Sequence, residues 1–308
     1  MELIRGLHNL RPAHRGCAVT IGSFDGVHLG HQAVLGQLAA RAAELDLPVT
    51  LVTFEPQPRE YFSPEDTPPR LTRFREKLEA LPQCGVQRVL ALSFNDYLAG
   101  LTAGEFIQAI LLDGLDVKHL VVGDDFRFGK ARTGDFALLQ QTGARHGFPV
   151  VNMESYSVAG RRVSSTRVRE ALRRGDLALA ETLLGRPYGM CGRVAHGDKR
   201  GRTIGFPTAN IHLHRAASPV DGVFAVEMTG VDGGPIAGVA NVGSRPTVDG
   251  TRSLLEVHLF DFDRDIYGAH VAVSFLKKLR DERRFESFAE LQQQIRLDAA
   301  QARTFFGL

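Results

Sequence analysis

The first half of the chain alternates short apolar runs with stretches of helical periodicity, and this limits the fold more than any other feature. Residues 17–22 (CAVTIG), 49–54 (VTLVTF), 88–94 and 119–123 are the apolar runs. Runs this short, rich in β-branched residues and lacking polar alternation suit strands buried on both faces. After the first run, Val34, Leu38, Ala42 and Leu45 recur at helical spacing, a stripe able to cover a sheet. Further helices are expected to open at Thr102, which has Glu105 at capping-box spacing, and near residues 135–146. Alternation of this kind predicts an α/β half, a Rossmann-like parallel sheet with helices on both faces. Such sheets bind ligands beyond the carboxyl ends of their strands.

The second half obeys a different rule. Residues 223–229, 236–242, 254–260 and 270–275 are short β-type runs broken by glycine, the pattern of a small antiparallel β-barrel. One helix closes the chain, opening at Ser287 with Glu290 three residues on, and Leu291, Ile295 and Ala299 form its apolar stripe. Gly185 and Pro187 end a helix between the halves, so the expected domains are 1–185 and 186–308. A length of 308 residues suits two domains. The net charge of +2 supplies no field for nucleic acid or membrane. Neither a signal peptide nor an apolar stretch of about 18 residues is seen. Cys17, Cys84 and Cys191 form no paired motif and are expected as buried thiols of a cytoplasmic protein.

Two segments of the first half have the chemistry of a phosphate site. Residues 22–31 (GSFDGVHLGH) lead from a strand into a helix. Gly22, Gly26 and Gly30 let a ligand approach the backbone, and the helix start offers free N–H groups to an anion. His28 and His31 are three apart and share a face, so two imidazoles can meet one phosphate. Residues 164–170 (SSTRVRE) open another helix, where Ser164, Ser165 and Thr166 can cap it or face an anion, and Arg167 and Arg169 add charge. In the second half, residues 192–210 are rich in glycine and cations, a composition that can cradle phosphates. Within that stretch, GFPTAN puts Thr208 and Asn210 two positions apart, so on an extended backbone both oxygens face one side. A P-loop is not available: Gly123 to Ala131 is one residue too long, and alanine stands where a hydroxyl is needed.

These motifs together resemble the bacterial bifunctional riboflavin kinase/FMN adenylyltransferases, also called FAD synthetases. The resemblance runs from about residue 19 to 295 and implies ATP, riboflavin and FMN as substrates, with Mg²⁺ as cofactor. It implies that His28 and His31 stabilise transfer of an adenylyl group to FMN. Phe24, Asp25 and the nearby glycines would bind the nucleotide, with Ser164, Ser165, Thr166 and Arg169 as the second motif. Residues 122–129 (VGDDFRFG) match a further family segment, implying a flavin or nucleotide role around Asp125, Phe126 and Arg127. In the second half, the resemblance implies phosphate binding by Gly192, Gly197, Lys199, Arg202 and Gly205, and Mg²⁺–ATP binding by Thr208 and Asn210. Residues 254–268 (LLEVHLFDFDRDIYG) then point to Glu256 as general base for the flavin's ribityl hydroxyl, and residues 279–285 to Arg280 beside the flavin. A tRNA synthetase shares the His-x-Gly-His idea but would need a Lys-Met-Ser-Lys-Ser-like loop, which is not visible.

Overall fold

The computed structural model describes residues 1–153, 155–196, 205–215, 217–231, 233–247 and 250–308. Gly197, Lys199 and Arg202 therefore lie outside the described residues. The chain forms two compact units: Met1–Thr67 with Lys77–Ser164, and Pro68–Glu76 with Ser165–Leu308.

The first unit is built on a six-stranded parallel sheet in the order β1-β4-β3-β2-β5-β6. Its strands are β1 (Glu2–Arg5), β2 (Ala18–Ile21), β3 (Val49–Glu55), β4 (Arg88–Ser93), β5 (His119–Gly123) and β6 (Val150–Met153). Alternate residues of one strand enter opposite cores. Val52 and Phe54 of β3 join Ile21, Leu90 and Val122 in one, while Val49 and Leu51 join Ala18, Val89 and Val121 in the other. Helix α1 (Leu29–Glu44) covers the second core with Leu35, Leu38 and Ala42. Leu38 and Ala42 of the expected stripe lie in this core with Val34 packed against it, Leu35 widens the buried face, and Leu45, the C-cap, is exposed. The Thr102–Glu105 capping box forms in both directions, and Asp135 caps the helix Phe136–His146. From β2 the chain runs through β3 to β4 on one side and returns to β5 on the other. The switch in direction lies between β2 and β5, the place where such sheets bind ligands at their carboxyl edge.

The second unit is a closed six-stranded antiparallel barrel in the order β10-β13-β12-β11-β14-β9. The first unit's small hairpin supplies β7 (Ser157–Val158) and β8 (Arg161–Arg162). The barrel strands are β9 (Tyr188–Ala195), β10 (Ala209–His212), β11 (Gly222–Thr229), β12 (Ile236–Thr247), β13 (Gly250–Leu259) and β14 (His270–Arg280). Ile211, Leu255, Val257, Val271 and Val273 are fully buried. The terminal helix (Phe288–Phe306) packs outside the barrel, where Ala299 and Ala302 meet Val223, Val239 and Phe260. Two helices, Ser165–Arg173 and Leu177–Leu184, also belong to this unit, and Gly185 ends the second of them in the left-handed conformation. Cys17 and Cys191 are buried; Cys84, contrary to expectation, is only half-buried, at the end of a short turn of helix.

Candidate active sites

The histidine segment sits at the switch point of the sheet. It leaves β2 at Gly22, whose N–H donates to the Val52 carbonyl. Phe24, Gly26 and Val27 all have positive φ (48°, 90° and 42°), so the loop folds tightly at some strain before α1 begins. His28 is the N-cap of α1, and its Nδ1 accepts from the His31 N–H at 3.3 Å. The two imidazoles stack with centroids 3.6 Å apart, and Phe24 leans on His31 at 4.7 Å. Gly30 is needed here: a Cβ would stand 3.2 Å from the His28 ring and 3.4 Å from the Val163 carbonyl. Burial, then the neighbouring His28 and Lys77, hold the His31 pKa well below the ordinary imidazole range. The Nδ1 of His31 is buried with no hydrogen-bond partner. Asp25 is buried in the same loop.

The remaining first-half candidates are placed as follows. Val163, and with it Ser164, comes up beside Gly30. Ser165, Thr166 and Arg169 belong to the second unit, where Arg169 Nε donates to the Pro69 carbonyl at 2.7 Å. At the carboxyl end of β5, Asp125 is exposed and pairs with Arg162 at 3.0 Å. Phe126 stacks on Phe128 at 5.5 Å and packs against the core, and Arg127 is exposed, bonding the Phe126 carbonyl. Sequence reasoning missed an aromatic shelf at the same sheet edge, where Phe54, Tyr61 and Phe62 surround Phe94 edge to face at 5.4–5.7 Å. Phe62 is 65% exposed, a ring surface of the kind that stacks on planar ligands. The Pro-x-Pro-Arg-Glu-Tyr-Phe run after β3, residues 56–62, was the available signal.

In the barrel unit, strand register assembles a second patch. Asn210 of β10 faces Glu256 of β13, which faces Asn241 of β12. Leu255 and Val257 point inward and are fully buried, so Glu256 and His258 must point outward. They line a cavity of about 420 Å³ with Thr208, Asn241, Arg280, Phe285, Phe288, Leu291 and Asp298. A second cavity, about 510 Å³, is lined by Val194, Pro207, Thr208, Ala209, Asp263, Arg264 and Tyr267. Thr208 lines both. Arg280 is held by Asp298 through Nε and Nη2 at 2.8–3.0 Å. Gly192 has a packing reason of its own: a Cβ there would stand 2.5 Å from the His212 carbonyl. Gly205, at φ 81°, faces open space. Neither Asn241 nor His258 was found from sequence: cross-strand register brings Asn241 to Glu256, whereas His258, two residues on in the same strand, was readable from the alternation.

Two protein families match successive parts of the chain. The FAD synthetase family matches residues 10–167, and the riboflavin kinase family residues 184–306. A bifunctional riboflavin kinase/FMN adenylyltransferase of Escherichia coli K12 is 53% identical across 100% of this chain and 99% of its own. A Haemophilus influenzae protein of the same name is 51% identical across 99% of both. A crystal structure described as a macrolide-efflux protein from Streptococcus pneumoniae superposes with TM-score 0.81 at 32% identity, over 97% of each chain. Among the described residues, no helix is long and apolar enough to cross a membrane.

Proposed function

The chain belongs to the bifunctional riboflavin kinase/FMN adenylyltransferase family, and from this we propose that each activity has its own site, one at the sheet edge and one on the barrel. The enzyme phosphorylates riboflavin to FMN and transfers an adenylyl group to FMN to make FAD. We assign the transfer to residues 1–185 and the phosphorylation to 186–308.

At the sheet edge, a phosphate oxygen of FMN attacks the α-phosphorus of ATP and pyrophosphate leaves. No covalent intermediate is required; positioning and charge stabilisation suffice. His28 and His31 meet the phosphates, the tight glycine loop carries them, and the N–H groups of α1 add their dipole. Ser164, Ser165, Thr166 and Arg169 are proposed as the second phosphate-binding motif. Phe24 and Asp25 are assigned to ATP, with Asp125, Phe126, Arg127 and the aromatic shelf assigned to the flavin.

On the barrel, the observation that carries the reading is that Thr208 lines both cavities. The polar, charged cavity beside Asp263 and Arg264 suits the nucleotide, and the one beneath the terminal helix, with its phenylalanines, suits the flavin. The γ-phosphate and the ribityl hydroxyl would then meet at Thr208. Glu256 accepts the proton of the attacking hydroxyl, and ADP leaves. The Thr208 hydroxyl and Asn210 amide are oxygen donors on one face of the sheet, a donor set that fits Mg²⁺. When bound, Mg²⁺ neutralises charge on the transferring phosphates. Incubation with riboflavin, ATP and Mg²⁺ tests the whole reading: FMN and then FAD should accumulate. FAD formed only from supplied FMN would leave the barrel without its kinase role.

A further inference from the structure

The GFPTAN turn depends on a contact that neither half of its ladder supplies. Residues Ala209 and Asn210 pair with Val257 and Glu256. Continued one step, this antiparallel register would set Thr208 against His258, but the ladder ends at Ala209. Pro207, two residues before the ladder begins, has no N–H to donate. The Pro207 carbonyl is instead bonded to the His258 ring, with Nδ1 2.9 Å from the oxygen. A carbonyl only accepts, so Nδ1 carries the proton. Phe206 lies edge-on to the same ring at 5.0 Å, and Phe260 at 5.9 Å. The imidazole is thus fixed on both sides, and it lines the cavity that holds Glu256 and Thr208.

We propose that His258 is a positioning residue for riboflavin phosphorylation: its Nδ1–H donates to the Pro207 carbonyl just before the ladder begins and so holds the Thr208 hydroxyl where Mg²⁺–ATP binds. The proposal rests on the assignment of Thr208 and Asn210 to Mg²⁺–ATP. Burial, the main influence on His258, lowers its pKa, which keeps the ring neutral near neutral pH. Its job is geometric. Thr208 stands just outside the β10 ladder, and the bond from the histidine on the adjacent strand fixes the backbone beside it.

Two substitutions separate the donor from the ring. His258→Asn places an amide N–H where Nδ1 was, and His258→Leu has similar branching without a donor. In the full chain, Leu should raise the Mg²⁺ and ATP concentrations for half-maximal riboflavin phosphorylation by about five- to tenfold, the effect of one such bond. The riboflavin requirement should hardly move, adenylyl transfer to supplied FMN should be unchanged, and Asn should restore most of the loss. Unchanged Mg²⁺ and ATP dependence in a folded Leu variant overturns the proposal. Equal impairment of Leu and Asn also overturns it, since ring packing would then explain everything. Should the Leu variant not fold, the wild-type protein still decides: ¹⁵N-histidine spectra, with His258 assigned by its loss in the Asn variant, must show the Nδ1–H tautomer, and an Nε2–H tautomer refutes the contact. Thr208→Ala is the control for the underlying assignment. If it leaves the Mg²⁺ dependence intact, the assignment fails; if it shifts that dependence and His258→Leu does not, only the histidine's role fails.

Discussion

His31 is an imidazole that its surroundings keep neutral, and this has consequences for both stability and catalysis. Its folded-state pKa lies below the value it has in the unfolded chain. The unfolded state therefore binds more protons as pH falls through about 6.5, and the folded state loses stability over that window. Melting of wild type and His31→Ala at pH 7 and pH 5 should show the smaller acid loss in the variant; an equal loss would mean His31 does not titrate as described. Adenylyl transfer by the same variant should fall by ~10²-fold or more, as for loss of a transition-state donor, while riboflavin phosphorylation stays normal. Glu256→Gln should do the reverse, lowering phosphorylation by ~10²–10⁴-fold with FMN still converted to FAD. Ordinary kinase turnover in a stable Glu256→Gln protein would falsify the general-base role. His28 and His31 were readable as candidates from their spacing at a helix start, and Glu256 from the family resemblance of its segment. Asn241 was not, because its position comes from pairing between strands remote in sequence, and neither was the contact of His258 with Pro207, although His258 shares a strand face with Glu256.

Elements were legible in proportion to their burial. The inner strands β2 to β5 have a face in each core and read as unbroken apolar runs. The edge strands β1 and β6 are short and largely half-buried or exposed, so Glu2–Arg5 and Val150–Met153 carry no comparable pattern. Caps were visible as residue types, yet one differs in detail. Ser287 caps the terminal helix through the Glu290 N–H at 3.1 Å, but the Glu290 carboxylate bonds the Glu286 N–H, one residue before the expected Ser287 N–H. That helix also hides a charge on its buried side. Asp298 is 4% exposed, continues the stripe of Leu291 and Ile295, and is matched by Arg280 from β14. Asp298→Ala would leave a guanidinium at the helix–barrel seam without its carboxylate. Denaturant unfolding of the barrel unit should show a loss of about 3 kcal/mol, the lower end for a broken buried pair because Arg280 keeps some contact with water. Phosphorylation should fall with it, since Arg280 lines the flavin cavity, and adenylyl transfer should not. A loss confined to adenylyl transfer would contradict the assignment of this cavity to the kinase.

At the scale of the molecule, two different architectures were legible from the change in periodicity, but the path of residues 68–76 was not. This segment comes from the middle of the first half and belongs to the barrel unit. Its bonds there are specific. Glu76 accepts from the Cys191 N–H at 3.0 Å and pairs with Arg215, Arg215 donates to the Arg70 carbonyl at 2.7 Å, and Tyr188 Oη donates to the Leu71 carbonyl at 3.2 Å. Glu76 and Arg215 are 9% and 7% exposed, so the pair lies out of water and breaking it costs more than a surface pair would. No periodicity announces such a strap, because its partners are backbone groups and one arginine far along the chain. A fragment of residues 186–308 lacks the strap, which exposes Arg215 to solvent. Arg215→Met should therefore cost the full chain ~3–5 kcal/mol, by stranding Glu76, and the fragment no more than ~0.5 kcal/mol, as for a surface change. Unfolding of the four proteins, followed for the barrel unit, measures both effects. The fragment should melt below the barrel unit of the full chain and phosphorylate riboflavin while folded. Equal costs in chain and fragment would mean that the Glu76–Arg215 pair does not fasten the strap.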